Sequence, residues 1–156
     1  MEEDREFMTD AGYAEDAKRR GGLTPAAEDY LEMIYRISEE NKRPVRICEL
    51  SERLSVSPSS ASRMAQSVSA WGYVEFRRYG YITLTELGCR TGAYLIHRHS
   101  VVSDFLVWLT GEERLIEAER IEHYLSPHTV ASMERVLASE RDNKDELGHT
   151  DCDGRI

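Results

Sequence analysis

The chain has 156 residues, enough for one compact unit or two small, closely packed ones. Hydrophobic residues make up 40% of it, but its longest apolar stretch, around VVSDFLVWL, contains Ser103 and Asp104 and is far too short to span a bilayer. The net charge of −9 argues against a nucleic-acid partner only until it is divided: residues 1–40 hold 5 basic and 12 acidic side chains, residues 41–100 hold 9 and 4, and residues 101–156 hold 6 and 13, and local field rather than total charge steers binding to phosphate.

The acidic start MEEDREF does not look like a secretory signal, which predicts a cytoplasmic protein without a membrane partner. Cys48, Cys89 and Cys152 are scattered and odd in number, with no CxxC spacing, so neither a disulfide framework nor a zinc ribbon is expected. Residues 1–22 are polar, end in KRRGG and predict a flexible arm. Thr24-Pro25 then caps a helix with apolar Tyr30, Leu31, Ile34 and Ile37, broken by Asn41 to Pro44. Ile47, Leu50 and Leu54 mark a short second helix. After a turn at Ser55 to Ser57, Ser57 caps a third helix with Pro58 at its first position and Ala61, Met64, Val68 and Trp71 as its stripe, stopped by Gly72. Two short helices joined by a tight turn read as helix-turn-helix. YVEFRRYGYITLT alternates about Tyr79-Gly80 and predicts a β-hairpin, a wing with Arg77 and Arg78 near its tip.

Thr85 caps a long helix to about Leu109, with Leu87, Thr91, Tyr94, Leu95, Val102, Phe105 and Leu109 on its buried side. Gly111 follows, then a helix carrying AERIEHYLS. Pro127 opens a last helix with a core face of Val130, Met133 and Leu137. From Arg141 the sequence is polar and aperiodic, which predicts a disordered tail over 141–156. The fold class expected is mainly α with a small β-hairpin wing: a winged helix-turn-helix domain over 23–90 and a helical domain over 91–140.

On the third helix Ser59, Ser60, Ser62, Arg63 and Gln66 lie off the apolar stripe, with Ser57 at the cap. Small hydroxyls permit close approach to base edges, and Arg63 and Gln66 can make bidentate contacts in the major groove of double-stranded DNA. Lys42, Arg43 and Arg46 before the motif, and Arg77 and Arg78 on the wing, suit phosphate. Taken singly, each serine reads as surface; the constellation reads as a DNA-binding head.

In AERIEHYLS, Glu119, Glu122 and His123 fall within five residues at helical spacings. They are either surface charges or metal ligands. Asp29 and Glu32 sit three apart off the stripe of the first helix. His97 and His99, two apart on the long helix, point in different directions, so only one can serve a given centre.

The stretches TPAAEDYLEMIY, VSPSSASRMAQSV and ITLTELG, the pair Arg98-His99 and the motif AERIEHYLS occur in this order over about residues 23–140. Together they resemble the manganese transport regulators, a branch of the diphtheria toxin repressor family. The resemblance implies a winged helix-turn-helix joined to a helical dimerisation domain, with metal bound where the two meet. Carried over by position, it implies Asp29, Glu32, His99, Glu119, Glu122 and His123 as ligands of a two-metal centre, bridged by Glu32 and Glu122. Four carboxylates and two imidazoles make an oxygen-rich site suited to Mn²⁺ or Fe²⁺. The function so implied is a homodimeric, Mn²⁺-activated repressor of metal-uptake genes on a palindromic operator, with no small organic substrate. The iron-sensing members have an extra C-terminal domain, for which this chain is too short. Three rival readings stand beside it: a winged-helix regulator sensing an organic ligand or oxidation at Cys48 or Cys89; a carboxylate-bridged enzyme, which would need paired Glu-x-x-His motifs that the chain lacks; and a metal-storage protein, which would need many more sites.

Overall fold

A computed structural model describes residues 22–148 of the chain. Residues 1–21 of the expected arm, and 149–156 of the expected tail with Cys152, lie outside the described residues, and Arg78 and residues 142–148 are described for their backbone alone. The chain forms two compact units divided between Ile96 and His97, inside one long helix.

In the first unit, helix α1 (Pro25–Asn41) starts as its sequence dictates. Thr24 is extended, its Oγ1 accepts from the Ala27 N–H at 3.3 Å, and Pro25 fills the first position. Ala27, Leu31, Ile34 and Ile37 are fully buried along it, each larger aliphatic contributing about 1.5–3 kcal/mol. Lys42 ends the helix in the left-handed region, its N–H bonded to the Ser38 carbonyl. The next two residues with regular structure, β1 (Val45–Arg46), form a strand that the sequence reading missed.

Helices α2 (Ile47–Arg53) and α3 (Pro58–Ala70) follow, joined by a turn in which Ser55 takes a positive φ of 53°. Ser57 caps α3 by accepting from the Ser60 N–H at 3.2 Å. Strands β2 (Val74–Arg77) and β3 (Tyr81–Leu84) pair antiparallel with Phe76 opposite Ile82, and β1 pairs on the other side of β3 with Val45 opposite Ile82. The wing is therefore a three-stranded sheet in the order β1-β3-β2. At its tip a 3-10 turn, Arg78–Gly80, holds Tyr79 at φ 68° and wholly exposed. The core joins Leu31, Ile34 and Ile37 to Val45, Leu50, Ala65, Val68, Val74, Ile82 and Leu95.

Helix α4 (Glu86–Thr110) is fixed to the hairpin by Thr85. Its hydroxyl donates to the Gly72 carbonyl at 2.7 Å and accepts from the Gly88 N–H at 3.1 Å. Gly88 is buried against this junction: a Cβ there would lie 1.9 Å from the Tyr73 carbonyl oxygen. Three residues expected on buried stripes are exposed. Trp71 (43%) caps the end of α3, beyond its last packed turn, and Leu87 (41%) lies in the first turn of α4. Leu109 (61%) gives way to Leu106, which follows Val102 at a spacing of four and reaches the second core.

The second unit comprises the end of α4, α5 (Leu115–Ile121), a 3-10 turn (Glu122–Tyr124) and α6 (Pro127–Gly148). Its core is small: Val102, Leu106 and Ala118, with Leu125 and Met133 packed on them. Helix α6 continues through Gly148, so the polar segment from Arg141 is helical where aperiodicity predicts a tail. It lacks an apolar face, but its Glu, Leu and Lys residues are good helix formers and propagate a helix already nucleated. No helix among the described residues is long and apolar enough to cross a membrane.

Candidate metal centre and DNA-reading surface

The second unit brings three of the expected ligands together. His99, on α4, has its Nδ1 2.8 Å from a Glu122 oxygen and 3.6 Å from a Glu119 oxygen. One donor atom from each of His99, Glu119 and Glu122 lies within 4.8 Å of the others. Metal–donor bonds of about 2.0–2.2 Å put opposite donors at most roughly 4.4 Å apart, so a few tenths of an ångström of side-chain movement would seat a cation. The carboxylate and imidazole donors fit a divalent first-row ion.

The local backbone explains the convergence. Glu119 lies in α5, but Glu122 and His123 belong to the 3-10 turn, not to the same α-helix. Residues three apart share one side of an α-helix, and Glu122 follows directly on α5 with right-handed helical dihedrals, which keeps Glu119 and Glu122 on one side. Glu122 is 1% exposed, while the Glu119 side chain is 60% exposed. His123 is turned elsewhere: its Nδ1 is 3.2 Å from an Arg98 guanidinium nitrogen.

Arg98 marks the resemblance beside His99 in the sequence, but its burial and its partners are not read there. It is 3% exposed, and its guanidinium stands 3.6 Å from a Glu122 oxygen as well as against His123. Its spacing was a usable signal, since it lies three after Leu95 and four before Val102 on the buried face of α4. His97 pairs with Glu134 of α6, at 3.5 Å, and so takes a different partner from His99.

In the first unit, Asp29 is exposed on α1 and Glu32 is half-buried there. Glu32 accepts from Arg36 at 2.7 Å, a contact that any cation on Glu32 would compete with.

The DNA-reading candidates occupy α3 and the wing. Ser57, Ser59, Arg63 and Gln66 are exposed, and Ser60 and Ser62 are half-buried. The Ser57 hydroxyl is hydrogen-bonded to that of Ser59 at 3.0 Å and donates to that of Ser60 at 2.9 Å, and Arg63 reaches Ser60 at 3.5 Å. Much of the basic excess of the middle segment is tied to carboxylates. Lys42 pairs with Glu39, Arg43 with Glu49 and Arg77 with Glu75, at 2.6–3.1 Å. Arg53 pairs with Glu40 and holds that carboxyl below its ordinary range. Arg46 is exposed and lies over the Tyr81 ring at 5.4 Å.

Comparison with known proteins matches the two halves of the chain separately. Residues 22–82 match the iron dependent repressor N-terminal DNA binding domain, and residues 85–146 match the iron dependent repressor metal binding and dimerisation domain. The HTH-type transcriptional regulator MntR of Lysinibacillus sphaericus is 35% identical over 124 residues, 78% of this chain and 88% of that one. MntR of Bacillus subtilis is 36% identical over 109 residues, 69% and 76% of the two chains. Among solved structures, a manganese-dependent transcriptional repressor in complex with manganese superposes with a TM-score of 0.64 at 33% identity, over 72% of this chain and 52% of that one. The metal-dependent transcriptional regulator MtsR gives 0.65 at 27% identity, over 74% and 55%. This chain thus spans about half the length of these two solved structures. The matched families and relatives are transcriptional regulators, not enzymes. With a winged helix-turn-helix in one unit and a carboxylate–imidazole cluster in the other, the chain belongs to the iron dependent repressor family of metal-dependent, DNA-binding transcriptional repressors.

Proposed function

We propose that this protein is a Mn²⁺-activated, homodimeric repressor of metal-uptake genes that binds a palindromic operator. The convergence of His99, Glu119 and Glu122 donors within 4.8 Å carries the reading. A set of oxygens and imidazole nitrogen without thiolate suits Mn²⁺, and one of the similar solved structures is a manganese-dependent repressor in complex with manganese. His123 joins the cluster by turning from Arg98. Asp29 and Glu32 complete a two-metal centre with Glu32 and Glu122 as bridges; their support is the family resemblance and their donor chemistry. Zn²⁺ and Cu²⁺ bind such donors at least as tightly by the Irving–Williams order, so selectivity comes from geometry and response. Fe²⁺ is the second reading, favoured by the same hard donors.

DNA is read by Arg63 and Gln66 in the major groove, with Ser57, Ser59, Ser60 and Ser62 allowing close approach. Arg46, Arg77 and Arg78 contact phosphate. The homodimer is supported by the apolar side chains that the second unit leaves exposed, Trp108, Leu109, Leu115 and Ile116 among them, at 42–71%. A two-fold pair presents its recognition helices about 34–36 Å apart, or a multiple. Metal promotes repression by binding the DNA-competent arrangement more tightly than the alternatives.

The test is a duplex selected from random DNA by the Mn²⁺-loaded protein, titrated against free Mn²⁺, anaerobic Fe²⁺, Co²⁺ and Zn²⁺. Mn²⁺ is expected to raise affinity for the selected duplex at the ion's working concentration. An affinity that no metal raises removes the proposal; a response to Fe²⁺ with none to Mn²⁺ selects the second reading.

A further inference from the structure

We propose that Arg98 is an internal counter-ion that takes the electrostatic place of the metal in the metal-free protein and thereby weakens metal binding. The inference rests on the metal reading above. Arg98 and Glu122 are 3% and 1% exposed, and they face each other at 3.6 Å. Removing such charges from water costs several kcal/mol per ion, so each depends on the opposite charge beside it. Arg98 also holds His123 at 3.2 Å, on the ring nitrogen that a guanidinium donor occupies. Two of the six candidate ligands are thus engaged by one fixed cation.

A divalent ion entering among His99, Glu119 and Glu122 arrives beside that guanidinium. Like charges at this range repel, and the surroundings are too dry to screen them well. Arg98 therefore stabilises the metal-free form and opposes the loaded form. Both effects act in one direction: they raise the metal concentration at which the protein responds. By linkage, whatever lowers the stability of the metal-free form more than that of the loaded form strengthens the metal's hold.

The experiment uses the full chain with Arg98→Met, which keeps an unbranched side chain without charge, and Arg98→Lys, which keeps the charge. Mn²⁺ binding is read from the electron paramagnetic resonance signal of free Mn²⁺, and melting temperature is read with and without Mn²⁺. In Arg98→Met, Mn²⁺ should bind about tenfold or more tightly than in wild type, and the Mn²⁺-induced rise in melting temperature should be larger. Arg98→Lys should stay within about threefold of wild type, because the charge is retained. Should Arg98→Met be unfolded without metal, added Mn²⁺ should restore its helical circular dichroism; failure to do so overturns the proposal. Mn²⁺ affinity that is unchanged or weaker in Arg98→Met also overturns it, and makes Arg98 a residue that merely orients His123. A wild-type protein that binds no Mn²⁺ defeats the metal reading itself, and this inference with it.

Discussion

Arg63 and Arg77 should contribute to DNA binding in different ways, and the structure sets the sizes. Arg63 is exposed on the polar face of α3, and the contact it makes with Ser60 is a long one of 3.5 Å, so little has to be broken before it reaches a base. A bidentate contact to guanine carries about 1–3 kcal/mol of discrimination, or roughly 5–150-fold in relative affinity. Arg77 is already held by Glu75 at 2.7 Å, with side chains 69% and 57% exposed. Such a pair is worth about 0.2–1 kcal/mol, and a phosphate must displace it. Arg63→Ala should therefore reduce the ratio of operator to scrambled-duplex affinity and barely alter the salt dependence. Arg77→Ala should weaken both duplexes alike and lower the log–log salt slope by about 0.9 for each subunit bound. Fluorescence anisotropy over a salt series, with Mn²⁺ held constant, measures both quantities. If the two variants relax discrimination equally, the division between base reading and phosphate contact is wrong.

Other substitutions probe the junction and the centre. Gly88→Ala sets a Cβ 1.9 Å from the Tyr73 carbonyl oxygen, a backbone atom that also accepts from the Thr85 N–H; about 3 kcal/mol or more of stability should be lost, and a wild-type urea midpoint would refute the close packing of Gly88 on the hairpin. Asp29→Met or Glu119→Cys introduces a softer donor and should favour Fe²⁺ over Mn²⁺ as activator of DNA binding; unchanged curves for both ions would remove these residues from the ligand set. Glu122→Gln should impair every metal and also lower metal-free stability, because Arg98 loses its carboxylate partner; calorimetric metal titration with a parallel thermal melt tests both parts. His97→Ala should leave the Mn²⁺ dissociation constant unchanged, since His97 faces Glu134, and a tenfold loss by calorimetry would make it a ligand.

Local rules made the helix starts legible. Thr24-Pro25 and Ser57-Pro58 carry their capping chemistry within four residues, and both caps are formed as read. Strand β1 was invisible because two residues have no period, and Val45–Arg46 is extended only through its pairing with β3, far along the chain. Helical spacing identified which face of α3 and α4 is buried but not where the neighbouring element stops, so Trp71, Leu87 and Leu109 were misassigned. In AERIEHYLS the ligand types were legible. The change from α5 to a 3-10 turn at Glu122 was not, since it depends on how the chain turns toward Pro127. Arg98 is the instructive case. By charge, an arginine belongs on the surface; by its spacing from Leu95 and Val102, it belongs in the core. A carboxylate of opposite charge reconciles the two, and in this unit that carboxylate is Glu122, itself one of the candidate ligands. A buried cation on the period of a helix, near a carboxylate suited to metal, is therefore a pattern that spacing and charge reveal only when read together.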